Sequence, residues 1–166
     1  STRVVNVDRD KFGDRFFSGF ESNINSCFAD EALNKKLIEK ELPNLKKFLL
    51  ESQYLVTGTN VLTAPSSAET IFFLLEEAKK SGVKIIIDLN WRKVFWDYSS
   101  FSSDISQTER VNQIKKFLNH ANILKLAKEE ATLFFEYENP LLISRQLSKR
   151  PDVIITNGKN PVSWYI

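Results

Sequence analysis

Residues 83–90 read VKIIIDLN. Ile85, Ile86 and Ile87 are consecutive, so an extended chain here carries apolar side chains on both faces. A strand of that kind belongs in a parallel sheet with helices against it. The run ends in Asp88, Leu89 and Asn90, followed by Trp91, Arg92 and the aromatic pair Phe95 and Trp96. On either side the same pattern repeats. Upstream, YLVTG (54–58) is a short apolar run, and PSSAETIFFLLEEAKKSG (65–82) has helical spacing, with Pro65 as a start signal and Gly82 as a stop. Downstream, QTERVNQIKKFLNHA (107–121) reads as a helix and NILKL (122–126) as a strand. KEEATLFFEY (128–137) and NPLLISRQLSKR (139–150) read as helices, and DVIITNG (152–158) as a strand. Alternating strands and helices predict an α/β fold, with a parallel sheet flanked by helices.

The N-terminal part follows a different rule. Val5 and Val7 alternate with polar residues, KFGD (11–14) is a turn signal, and RFFSGF (15–20) follows it. This predicts a short antiparallel hairpin over residues 2–20. Polar residues 21–26 form a connector. Leu33, Leu37, Leu45, Phe48 and Leu49 recur at helical spacing between residues 30 and 52, and Pro43 starts a second helix there. The chain opens on STRVVNV and closes on VSWYI, both strand-like. This reads as a segment of a longer protein.

With 166 residues the chain has the length of one domain. Its 23 basic and 21 acidic residues are interspersed, for a net charge of +2. No clustered basic face predicts a nucleic-acid partner. No apolar run reaches the roughly 18 residues of a membrane span. Cys27 has no second cysteine to pair with, and it reads as a small apolar side chain in a reducing, cytoplasmic setting. His120 is the single histidine. With one His and one Cys, a zinc site of the usual ligands is not expected.

In open α/β sheets, ligands bind beyond the carboxyl ends of the strands. The residues there are Thr57 to Asn60, Asp88 to Arg92, Lys125 to Ala127, and Thr156 to Gly158. In an extended segment Asp88, Asn90 and Arg92 project to one side. Asp and Asn can bond hydroxyls, and Arg can clamp an anion through two N–H groups. The plainer alternative has Asp88 capping the next turn and Arg92 pairing with Asp97. Trp91, Phe95 and Trp96 read as core or rim packing. Thr156 and Gly158 can offer a hydroxyl and amides to phosphate, or can be an ordinary turn. Glu129 and Glu130 can be a first helical turn, where acids suit the helix dipole.

Taken in order, FGDRFFSGF, YLVTGTNVL, IIIDLNWRKVFW, ILKLAKEEATLFF and VIITNGKNPVSWY resemble segments of the PfkB, or ribokinase-like, carbohydrate kinases, near the fructokinase branch. The resemblance spans essentially the whole chain. It implies ATP-dependent phosphorylation of a sugar or sugar-acid hydroxyl. It also implies an incomplete domain: residues 1–28 as lid strands and connector, and residues 29–166 as the α/β core. By the same carry-over Asp88, Asn90 and Arg92 would bind the sugar, Thr156 and Gly158 would line the nucleotide phosphates, and Glu130 would organise Mg²⁺ through water. Lid strands of this type imply a homodimer. The sequence departs from the family's pattern at Ala127, where an Asn or Ser is usual, and at Pro161, where a second Gly is usual. The family's general base and anion hole lie on a C-terminal segment absent from this sequence. A second reading is a catalytically inert, kinase-like scaffold or subunit partner.

Overall fold

A computed structural model describes residues 4–13, 15–20, 28–97 and 106–166. Asp14 of the expected hairpin turn, the connector at 21–26 and Cys27 lie outside the described residues.

The chain opens with two strands, β1 (Val5–Arg9) and β2 (Arg15–Phe20), paired antiparallel as a separate two-stranded sheet. A 3₁₀ turn (Ala29–Ala32) leads to helices α1 (Lys35–Lys40) and α2 (Leu42–Glu51), with Pro43 in the first turn of α2. Then come β3 (Tyr54–Gly58), a second 3₁₀ turn (Thr59–Leu62), α3 (Pro65–Lys80), β4 (Lys84–Asp88) and the short α4 (Lys93–Asp97). Helix α5 (Gln107–Leu118), β5 (Ile123–Ala127), α6 (Lys128–Phe135), α7 (Pro140–Gln146), β6 (Asp152–Asn157) and β7 (Asn160–Tyr165) complete it.

The helices start and stop where local chemistry directs. Ser106 Oγ accepts the Glu109 amide at 3.3 Å, and the Glu109 carboxylate accepts the Ser106 amide at 2.8 Å, which fixes the start of α5. Asn139 caps α7 ahead of Pro140. Helix α3 ends at Ser81, and Gly82 follows at φ +76°, a left-handed value that glycine adopts without strain.

The main sheet has the order β3-β4-β5-β6-β7. Strands β3 to β6 run parallel, as the alternation of strand and helix predicts. Strand β7 turns back antiparallel onto β6. Gly158, at φ +53°, takes the positive dihedral of that tight turn. Ile155 faces Ser163 and Asn157 faces Asn160, so Pro161 and Val162 together oppose Thr156. That is a β-bulge on an edge strand, where proline's missing N–H costs no ladder bond.

One face of the sheet carries Ile85, Ile87, Leu124, Leu126, Val153 and Ile155, none more than 2% exposed. They form one core with Ile71 and Leu75 of α3, Ile114 and Phe117 of α5, Phe134 of α6 and Ile143 of α7. Leu49, Ala78 and Val83 make a satellite cluster beneath α2. The apolar runs anticipate cover on both faces, and the described residues provide it on this one. On the opposite face Ile86, Ile123 and Ile154 are half-buried, while Val56 is 66% and Trp164 63% exposed. No helix among the described residues is long and apolar enough to cross a membrane.

Candidate functional site

The carboxyl ends of the parallel strands bring the sequence-selected residues to one end of the sheet. Gly58 on β3 pairs with Asp88 on β4, Asp88 pairs with Lys125 on β5, and Ala127 pairs with Thr156 on β6. A Cβ on Gly58 would lie 3.0 Å from the Asp88 carbonyl oxygen, so the bare glycine lets the two tips close up. Thr59 Oγ1 donates to the Leu89 carbonyl at 2.6 Å and ties the loops after β3 and β4 together.

Asp88 meets a partner that local sequence reading does not supply. Lys125 Nζ lies 3.0 Å from each of its carboxylate oxygens. Both side chains are more than a third exposed, so the pair contributes at most about 1 kcal/mol. Its significance is positional: it holds a cation and an anion side by side at the strand tips. Lys125 is missed because its role depends on strand register. The signal that could have found it is an acid and a base ending adjacent strands.

The extended reading of Asp88 to Arg92 does not hold. Leu89 is fully buried and Asn90 sits at φ +41°. Asn tolerates that left-handed conformation better than most residues, and the chain turns there rather than continuing straight. Asp88, Asn90 and Arg92 therefore do not form one side of an extended segment. Asp88 faces Lys125 and is not a cap of the next turn. Arg92 is exposed, with its guanidinium 5.0 Å from the centre of the Phe17 ring in the hairpin. The alternative pairing with Asp97 falls on a side chain outside the description. Trp96 is buried, and Trp91 packs against both Trp96 and Phe134, as expected of core and rim aromatics.

Glu130 occupies the first turn of α6 and is only 9% exposed. One carboxylate oxygen accepts the Trp91 amide, and the other accepts the Ala127 amide at 2.7 Å. Burial pushes its pKa above the ordinary glutamate value. The two amide donors oppose that shift, and nearby Asp88 adds to it. Ala127 has no side-chain acceptor, so this carboxylate provides the side-chain bond at the start of α6. Glu130 thus fastens the loop after β4 to the strand end after β5.

Thr156 Oγ1 donates to the Leu126 carbonyl at 3.4 Å, and Gly158 is exposed in the β6–β7 turn. Among the described residues no group of three His, Cys, Asp or Glu side chains could hold a metal ion. An amide donates to each carboxylate oxygen of Glu130, which leaves one lone pair on each for a further contact, direct or through a water. Asn60 Oδ1 and Trp96 Nε1 are buried without a hydrogen-bond partner among the described residues.

No protein-family model matches the chain. Solved structures do. A fructokinase from Xylella fastidiosa aligns with a TM-score of 0.73 at 21% identity, over 99% of this chain and 48% of its own; it has also been solved with ATP bound. A PfkB protein from Polaromonas sp. JS666 aligns with a TM-score of 0.72 at 13% identity, over 98% of this chain and 50% of its own. A putative ribokinase II from E. coli aligns with a TM-score of 0.70 at 19% identity, over 98% and 47%. The fold is that of these kinases, and the chain spans about half their length.

Proposed function

We propose that this chain is the central part of a carbohydrate kinase of the PfkB, ribokinase-like kind, which transfers the γ-phosphoryl group of ATP to a hydroxyl of a sugar or sugar acid. The observation that carries this reading is the convergence of polar side chains from three adjacent strand tips, beneath a hairpin that docks on the same loop. Phosphoryl transfer depends on positioning and on charge stabilisation more than on covalent chemistry. Arg92 stands on the hairpin side, and it and Asn90 on the same loop are suited to sugar oxygens. Thr156 and the Gly158 turn stand two strands away, suited to phosphate. Lys125 lies between them, with Asp88 as its counter-charge. Mg²⁺, when bound with ATP, would offset the phosphate charge. Glu130 would bear on it through water. The hairpin, with Val7 and Phe16 about half exposed, would exclude water on closing, and it carries the homodimer reading.

The inert-scaffold reading has two observations in its favour. Ala127 leaves α6 without an N-cap side chain, and Pro161 offers no amide beside the β6–β7 turn. An ADP-release assay on the intact protein separates the two, screened with fructose, ribose and a keto-deoxy sugar acid. ATP-dependent turnover is expected with at least one of them. Absence of turnover with every sugar, together with no ATP binding, would leave the scaffold. In the active protein Arg92→Ala is expected to lower kcat/KM for the sugar about tenfold to a hundredfold, the size of a charge-assisted hydrogen bond. The KM for ATP should stay within about twofold on the same reasoning.

A further inference from the structure

We infer that Phe17 is a positioning residue for Arg92, and that the hairpin and the loop after β4 work as one unit. The register of the hairpin makes this arrangement. Val5 faces Phe20, Asn6 faces Gly19 and Val7 faces Phe17, which leaves Ser18 as an extra residue on β2. In a regular strand, positions 17 and 20 point to opposite faces. The bulge at Ser18 turns both onto the face shared by Val5 and Val7. Both phenylalanines then reach the same neighbour. Phe17 meets the Arg92 guanidinium at 5.0 Å, and Phe20 meets Phe95 of α4 edge-on at 5.1 Å. Phe20 also packs on the half-buried Phe28 at 5.8 Å. Among the described residues no carboxylate lies within ion-pair distance of Arg92, so the aromatic ring is its partner. A ring engages the cation without consuming an N–H donor. It therefore restrains the long side chain and leaves the guanidinium donors for an oxygen-rich ligand. The loop below is fastened independently by Glu130, through the Trp91 amide. Arg92 is thus held by the hairpin from one side, on a backbone held from the other.

The identity of the ligand as a sugar rests on the kinase reading; the coupling of hairpin to Arg92 does not. Hydrogen exchange of the β1 and β2 amides in this chain tests the coupling. Phe17→Leu keeps the apolar bulk but removes the π face. It and Arg92→Ala are each expected to speed hairpin exchange about two- to fivefold, the span of an exposed cation–π contact. The double variant should exchange no faster than either single one, and Phe17→Trp should keep the protection. Unchanged exchange in Arg92→Ala, or effects that multiply in the double variant, would overturn the coupling. In the intact protein Phe17→Leu should raise the KM for the sugar several-fold while kcat and the KM for ATP hold. A functioning kinase whose sugar KM ignores Phe17 would overturn the positioning role alone. Coupled exchange in a protein that phosphorylates no sugar would overturn the kinase reading and leave the coupling standing.

Discussion

Gly58 shows how narrow the tolerances are at the strand tips. Its dihedrals are those of extended backbone, so flexibility is not what the position requires. What it requires is space, because the Asp88 carbonyl oxygen lies 3.0 Å from where a Cβ would stand. Gly58→Ala should push β3 and β4 apart at their carboxyl ends and cost about 1–3 kcal/mol, as overpacked sites do, read as a lower urea midpoint. His120 gives a second test. Its ring packs edge-on against Phe72 at 5.6 Å, with Glu76 3.6 Å from Nδ1. Burial pushes its pKa below the ordinary value; Glu76 opposes the shift, and Lys149, Lys79 and Lys116 add to it. The unfolded chain therefore takes up the proton first, and stability falls as the pH drops below about 6.5 toward the folded-state pKa. Glu130 has the opposite sign. Its raised pKa lets the folded chain protonate first, so it does not produce that loss. Urea unfolding at neutral and mildly acidic pH should show the loss in the parent chain and a flatter response in His120→Gln. An unchanged slope in the variant would assign the effect elsewhere.

Short range explains which elements could be read from sequence and which could not. The β4 run of isoleucines, the Pro65 start and Gly82 stop of α3, and the 107–121 helical stretch of α5 are each decided within a few residues. They appear in the structure close to where the pattern puts them. Helix α4 is five residues long, and its aromatics obscure any period. The loop before it looks extended in sequence, and Asn90 bends it. The antiparallel return of β7 depends on a single turn around Gly158. The partners that complete the site come from elsewhere in the chain. Lys125, Phe17 and Glu130 reach Asp88, Arg92 and the Trp91 amide only through the tertiary fold. Residue types at the strand ends could therefore be named, while their neighbours could not. The Glu130 clasp is the element-level link most open to test. Glu130→Ala strands two backbone amides and should cost about 2–3 kcal/mol. Hydrogen exchange should speed up at Trp91 and Ala127, while the amides of β3 keep their rates. Equal loss at β3 would mean global rather than local opening.

Among the described residues β3 is an edge of the main sheet, and an apolar face bears Val56 and Trp164. Parallel edges and uncovered faces invite association. The 166-residue chain alone should sediment as oligomers at micromolar concentration, and Val56→Lys should shift it toward monomer. It should also show no ATP-dependent sugar phosphorylation above background. On the kinase reading Arg92, Asn90, Thr156 and Gly158 would supply sugar and phosphate contacts but no general base, and the loss of a base alone costs about 10²–10⁴-fold. Turnover near 1 s⁻¹, the low end for ordinary enzymes, would place a base within these residues. The strand order of the main sheet, β3 to β7 without a crossing, has a further consequence for how the molecule is born. Each strand pairs with the one synthesised just before it. On the ribosome, each emerging strand of this sheet after β3 then finds its template already laid down. The sheet can be woven from one selvedge as the chain leaves the exit tunnel. Among the described residues β3 and β7 are the two borders of that weave, and β3 is the first of the five strands to be set down.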